Sequence, residues 1–315
     1  MIDVPSFQDN KLRHFLAIEG LPDHVLVDLI HSAQTIIQHQ QHIFQQRNDL
    51  ANKTLANLFY EASTRTRCSF ELAAKRMGAE VVNFHTKQSS ILKGETLLDT
   101  FYTFQAMACQ LIVVRHRETG IPAWLAHHAE PGVSVINAGD GANEHPSQAM
   151  LDMLTIAQHK TDFKSLKVSI IGDIRHSRVA RSQLHALNIL QVADIRVIAP
   201  SQFLPEDIYR FNVAVYDDMV AGITDSDVII MLRIQHERME KTFTDLHTYH
   251  QAFGLTKDKL RYAKPDAIIM HPGPMNRGVE ISNDVADCSQ AVIQEQVKNG
   301  IAMRMAIMQM LCTYH

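Results

Sequence analysis

The sequence predicts an α/β protein of two doubly wound parallel-sheet domains, with N- and C-terminal helices packing on the first. Three observations lead there. Short β-rich runs alternate with helical patterns, and a βαβα series implies a mostly parallel sheet covered on both faces. The series halts at a polar segment and then restarts. The length, 315 residues, suits two domains of ordinary size.

The first helical stretch is "DHVLVDLIHSAQTIIQHQQHIFQQR" (23–47). "TLANLFY" (54–60) reads as a buried strand, and 64–77 as a helix with Phe70, Ala73, Ala74 and Met77 on one face. "AEVVNF" (79–84) is a strand, 95–109 a helix, "LIVV" (111–114) a strand and 119–129 a helix. "VSVIN" (133–137) and "PSQAMLDMLTIAQH" (146–159) complete the first series as strand and helix. The second series opens with strand "LKVSIIGD" (166–173) and helix 178–190. Strands "DIRVIAP" (194–200), "DVIIML" (227–232) and "DAIIM" (266–270) follow. Polar "QHKTDFKSL" (158–166) is the natural hinge. The expected domains are 1–150 and 151–288, with an apolar last helix in 289–315 returning to the first.

Composition narrows the function. With 46% apolar and 20% charged residues, the chain buries a sizeable core. Thirty basic against 34 acidic residues leave a net charge of -4, too balanced for a nucleic-acid or membrane-surface partner. Any anion site therefore needs local positive charge. The N-terminus, "MIDVPSFQDNKLRHF", lacks the basic-then-apolar layout of a secretion signal. No apolar run nears the ~20 residues that span a bilayer. Four scattered cysteines (Cys68, Cys109, Cys288, Cys312) fit reduced thiols in a cytoplasmic protein. Eighteen histidines raise the question of a metal. His39 and His42 stand i,i+3 on a Gln-rich helix without a companion carboxylate or cysteine, so they read as a solvated face; neither metal nor cofactor is expected.

Ligands of such sheets bind beyond the carboxyl ends of strands, so the loops there carry the argument. "FYEASTRTRCSFELAAKRMG" (59–78) places Ser63 at an N-cap position. The following amides and the helix dipole suit an anion. Thr64 and Thr66 offer hydroxyls and Arg65 a bidentate fork. An ordinary capped helix with surface arginines is the competing reading. Acidic residues normally lead a helix, so two arginines in the first turn favour the anion site. Arg67 is expected to pair with Glu71 one turn on. "LIVVRHRETG" sets Arg115 directly after a strand, with His116 and Arg117 as loop residues. "NAGDGANEHPSQ" (137–148) joins a Gly-rich loop to His145, Pro146 and Gln148 at a helix start.

The run "STRTR" followed by "SFELAAKRMGAEVV" resembles the carbamoyl phosphate-binding motif of the carbamoyltransferase family. The resemblance covers nearly the whole chain, with six motifs in the family's order. It implies that Ser63, Thr64, Arg65 and Thr66 with Arg115 hold the phosphate of carbamoyl phosphate, and that Arg115 also reaches its carbonyl oxygen. His145 and Thr66 would stabilise the oxyanion, and Gln148 would bind the carbamoyl NH₂. "HTKQSSILKGET" resembles the family's mobile lysine loop, which reaches a neighbouring subunit; Ser89 and Lys93 would then act in trans within a homotrimer.

In the second half, "IIGDIRHSRVARS" has one glycine where a dinucleotide-binding G-x-G-x-x-G needs three. The resemblance instead assigns Arg178 to a carboxylate, leaving Arg175 and Arg181 without a role. Arg233 and Gln235 in "RIQ" resemble the aspartate branch of the family; the S-M-G and H-C-L-P strings of the ornithine branch are missing from the sequence. Lys93 would supplement the two arginines. "HPGP" (271–274) would accept the carbamoyl NH₂ through backbone carbonyls at Gly273 and Pro274, with an X-Pro bond open to the cis form. Gly273 stands where the family carries leucine or alanine. Arg277 and Glu280 are read as loop or domain-closure partners, or as a plain surface pair.

The implied activity transfers the carbamoyl group to the α-amino group of L-aspartate, giving N-carbamoyl-L-aspartate and phosphate, early in de novo pyrimidine (UMP) biosynthesis. Binding is expected to be ordered, without a covalent intermediate. A different amine acceptor, such as ornithine, and a catalytically silent assembly partner are the alternatives. A regulatory chain and a dihydroorotase are the candidate macromolecular partners.

Overall fold

The computed structural model describes residues 6–8, 11–38, 47–84, 94–234 and 246–312. It contains two compact units, Met1–Met150 with Lys298–His315 and Leu151–Val297.

The first unit begins with a short antiparallel ribbon, β1 (Phe7–Gln8) with β2 (Lys11–Leu12), and helix α1 (Asp23–Gln38). Leu26, Leu29, Ile30 and Ala33 form the buried face of α1. The expected helix ran to 47; residues 39–46 lie outside the described residues, and Arg47 is non-helical and bound to Asp49 at 2.7 Å. Next come β3 (Thr54–Phe59), α2 (Thr64–Arg76), β4 (Glu80–Phe84), α3 (Leu97–Ala106), β5 (Leu111–His116), α4 (Ile121–His127), β6 (Ser134–Asp140) and α5 (Pro146–His159). Phe70, Ala73, Ala74 and Met77 are all fully buried, as the spacing predicts. The described strands form a parallel sheet in the order β4-β3-β5-β6. Leu55, Leu58, Ile112, Val114 and Val135 fill its core, each buried side chain contributing about 1.5–3 kcal/mol.

The second unit holds β7 (Lys167–Ile171), α6 (Arg178–Ile189), β8 (Asp194–Ile198), β9 (Ala214–Tyr216), α7 (Met219–Ile223) and β10 (Val228–Met231). Then follow α8 (Leu246–Phe253), α9 (Lys257–Leu260), β11 (Ile268–Met270), α10 (Asn283–Ala286) and α11 (Ile293–Cys312). Its sheet is parallel, in the order β11-β10-β7-β8-β9. The polar segment 158–166 ends α5, makes a 3₁₀ turn at Phe163–Ser165 and enters β7 inside this unit. Residues 289–297, the first turn of α11 included, also belong here rather than to the first unit. Ile269 donates to Gln290 O, and Val292 to Ile269 O, so the segment runs along β11. From Lys298 onward α11 belongs to the first unit, where the Arg304 guanidinium lies 4.9 Å from the Phe70 ring centroid.

Strand order locates the loops that matter. In the first sheet the chain passes from β3 to β4 on one side and then crosses to β5 on the other. In the second it runs from β7 through β8 to β9, then crosses to β10. Each crossing leaves a switch point, where loops diverge and open a crevice at the carboxyl ends. The β3/β5 and β7/β10 loops flank these two points.

Candidate active site

Ser63 occupies the N-cap position of α2 in extended conformation, φ -159° and ψ 91°, and its hydroxyl makes no capping bond. No acidic residue stands in the helix's first turn, while Lys75 and Arg76 complement the dipole at its end. Thr66 is buried one turn in, and Arg65 is exposed. The helix therefore opens with hydroxyls and a guanidinium where a carboxylate would ordinarily sit. Arg67 does not take Glu71 as its ion pair. Lys75 holds Glu71 Oε1 at 2.7 Å and Asn83 donates to Oε2 at 3.0 Å. The Lys75 hydrogen bond holds the Glu71 carboxyl below its usual pKa, with Arg67 a minor contributor. Glu-to-Lys is also the favourable i,i+4 order.

Arg115 is the penultimate residue of β5, not a loop residue, and His116 ends the strand. The β5–β6 register shifts here: Val114 faces Asn137 but His116 faces Asp140, so β6 carries one extra residue opposite Arg115. Gly139, at φ 115°, absorbs this bulge. The buried Arg115 guanidinium donates to Ala138 O at 3.0 Å, and its Nε stands 3.4 Å from Glu61 Oε2. Glu61, in the turn between β3 and α2, thus ties Arg115 to the segment that opens α2. His116 packs against Tyr60, ring centroids 5.5 Å apart, and burial lowers its pKa.

Asp140 organises the Gly-rich loop. Its carboxylate accepts from Asn137 Nδ2 at 2.8 Å, Gly120 N at 2.8 Å, Asn143 Nδ2 at 3.1 Å and Glu144 N at 3.2 Å. Glu144 in turn accepts from the amides of Ile18 and Glu19 at 2.8 and 3.0 Å. The backbone leading into His145 is thereby pinned. His145 is buried and immediately precedes α5, which Pro146 opens; Gln148 is half-buried in the first turn.

In the second unit, Gly172 sits at φ 129°, and a side chain there would meet Leu232 Cβ at 3.0 Å and its carbonyl at 3.2 Å. The single glycine thus permits close packing of the segments that leave β7 and β10. Arg178 is the buried first residue of α6, whose N-cap Ser177 accepts from Ala180 N at 3.1 Å. Arg233 lies two residues beyond β10, the strand paired with β7. Arg181 is engaged with Asp207 through bonds of 3.0 Å, and Arg175 lies 3.6 Å from Glu206 on the surface. After β11, the Gly273–Pro274 peptide is cis, and Gly273 has φ 64°. Arg277 and Glu280 do not pair with each other. Arg277 binds Asp287 with two bonds of 2.7 Å, whereas Glu280 is buried against His271 at 3.1 Å.

Of the candidate residues, Ser63, Thr64, Arg65, Thr66, Arg115, His145 and Gln148 gather at the carboxyl end of the first sheet. Arg178, Arg233, Gly273 and Pro274 gather at the carboxyl end of the second. Ser89, Lys93 and Gln235, with His39 and His42, lie outside the described residues. Glu61, Asp140, Glu144 and the His271–Glu280 pair are additions from the structure. Asp140, Glu144 and His271 lie inside motifs singled out in the sequence and Glu280 was named there, but the bonds each of them makes, like that of Glu61 to Arg115, carry no local signal. Cys68, Cys109, Cys288 and Cys312 are free thiols. No helix among the described residues is long and apolar enough to cross a membrane.

Residues 13–158 match the family model for the aspartate/ornithine carbamoyltransferase carbamoyl-P binding domain, and 164–311 the model for the Asp/Orn binding domain. Among solved structures, the chain is similar to aspartate transcarbamoylase from Trypanosoma cruzi in complex with aspartate and phosphate, at 30% identity over 96% of each chain and a TM-score of 0.82. The same enzyme in complex with N-(phosphonacetyl)-L-aspartic acid gives 30% identity over 96% of each chain and a TM-score of 0.85. Ornithine carbamoyltransferase from Pyrococcus furiosus gives 27% identity over 94% of this chain and 96% of that one, at a TM-score of 0.83.

Proposed function

Because the chain belongs to the aspartate/ornithine carbamoyltransferase family, we propose that it transfers the carbamoyl group of carbamoyl phosphate to the α-amino group of L-aspartate. The observation that carries the choice of acceptor is the pair Arg178 and Arg233, set beyond the ends of the adjacent strands β7 and β10. Two guanidiniums at one switch point suit a dicarboxylate, one fork per carboxylate. A cationic side chain such as ornithine's would be repelled there. Overall identity does not choose, since the aspartate and ornithine relatives differ by 30% against 27%.

In this reading carbamoyl phosphate binds first, its phosphate held by Ser63, Thr64, Arg65, Thr66 and Arg115. Gln148 and the carbonyls of Gly273 and Pro274 accept the carbamoyl NH₂ hydrogens. Arg178, Arg233, Gln235 and Lys93 orient aspartate. Its neutral amine attacks the carbamoyl carbon; the new C–N bond forms as the carbonyl π pair moves onto oxygen. Thr66, Arg115 and His145 stabilise that oxyanion. The C–O bond to phosphate then breaks, and phosphate leaves with the amine proton. Such a reaction needs only positioning and preorganised charge. N-carbamoyl-L-aspartate carries the open-chain atoms of a pyrimidine ring, which supports a step in pyrimidine synthesis, and the free thiols suit the cytoplasm. Ser89 and Lys93 act from a neighbouring subunit of a homotrimer. Steady-state turnover of carbamoyl phosphate with L-aspartate against L-ornithine, products identified by mass, tests the central step. Product from ornithine alone would falsify the assignment.

A further inference from the structure

The loop after β11 is held by a buried polar chain rather than by sheet pairing. The His271 amide donates to Gln296 Oε1 at 2.9 Å, Gln296 Nε2 to Asp152 Oδ1 at 2.8 Å, and Gln183 Nε2 to Asp152 Oδ2 at 2.6 Å. On the imidazole, Nδ1 accepts from Gly273 N at 2.8 Å, which leaves Nε2–H to donate to Glu280 Oε1 at 3.1 Å. Both side chains are fully buried. Glu280 Oε1 also accepts from Asn276 N at 2.6 Å, and Asn276 Nδ2 donates to Ile234 O at 3.2 Å. One carboxylate therefore touches, directly or through one residue, both the 271–277 loop and the segment that carries Arg233. A buried carboxylate is costly unless its hydrogen bonds are kept, and a chain so bonded resists distortion.

We propose that Glu280 and His271 are positioning residues that set the Gly273–Pro274 carbonyls and, through Asn276, the Arg233 segment, so that the carbamoyl group and the acceptor's carboxylate are held in register. The identity of those two ligands rests on the function proposed above. Neither side chain touches substrate. Glu280 aligns the two loops, and misalignment by about 1 Å costs about a hundredfold in rate.

The test compares the full-length wild type with Glu280→Ala, Glu280→Gln and Asn276→Ala. Glu280→Gln keeps an acceptor oxygen of the same reach. Glu280→Ala should lower kcat at least about tenfold and raise the acceptor KM about fivefold, with the carbamoyl phosphate KM within about twofold. Glu280→Gln should recover to within about threefold of wild type, and Asn276→Ala should raise only the acceptor KM, about threefold. Hydrogen–deuterium exchange at the Gly273 and Asn276 amides should accelerate in Glu280→Ala and not in Glu280→Gln, a readout that needs no substrate. Wild-type kinetics in Glu280→Ala, or equal impairment in both Glu280 variants, overturns the proposal. If Glu280→Ala does not fold, an unchanged acceptor KM in Asn276→Ala overturns it instead. The kinetics use whichever acceptor the wild type turns over. A preference for ornithine would thus sink the aspartate reading and still decide the positioning role.

Discussion

Arg65 and Arg67 lie two residues apart on α2 in different surroundings. Arg67 stands beside an acid already bonded to Lys75 and Asn83. Arg65 extends from the first turn beside an N-cap hydroxyl that does no capping. If Arg65 grips phosphate, Arg65→Ala removes a charged hydrogen bond worth about 1.5–3 kcal/mol. kcat/KM for carbamoyl phosphate should then fall about ten- to 150-fold with an unchanged melting temperature. A rate within about twofold of wild type contradicts the cradle. The helix start at Ser63–Thr66 is legible in the sequence because strand end, turn and apolar periodicity coincide within a few positions. Glu61's hold on Arg115 is not. It depends on β3 and β5 being neighbours, and no local pattern encodes strand order.

At the scale of elements, the Gly-rich loop carries a strict backbone demand. Gly141 adopts φ 51°, and a Cβ there would overlap the Thr119 hydroxyl and stand 2.9 Å from the Thr119 amide. Gly141→Ala should therefore destabilise the protein by about 2 kcal/mol. In calorimetry the melting temperature should drop by several degrees, with kcat falling as His145 shifts; an unchanged melt contradicts this account of the loop. Helix α5 matches the expected 146–159 because Pro146 opens it and apolar spacing runs to its end. Strands β5 and β6 run further than hydrophobic periodicity predicts. Polar Arg115 and His116 extend one, and Ala138, Gly139 and Asp140 extend the other through a bulge that hydrophobic periodicity does not register. The edge strand β9 leaves no sequence signal because it has only three residues and none is buried.

For the whole molecule, the parallel α/β class was legible from the alternation of elements. The strand orders that create two switch points were not, since they arise from long-range pairing. The unit boundaries fall inside continuous helices: one in α5 at the expected Met150/Leu151 division, the other in α11, past the expected 288. The shared-site proposal belongs to this scale. Mixing Lys93→Ala chains with Arg65→Ala chains, each nearly inactive alone, should restore about a quarter of wild-type activity in a randomly reassembled trimer. No recovery after denaturation and joint refolding contradicts action in trans. The central claim, that two arginines beyond β7 and β10 receive a dicarboxylate acceptor, is tested most directly by the ratio of kcat/KM for L-aspartate to that for L-ornithine at saturating carbamoyl phosphate. The account predicts a ratio above about 10³, since a buried mismatch of charge costs several kcal/mol. A ratio at or below one would contradict it.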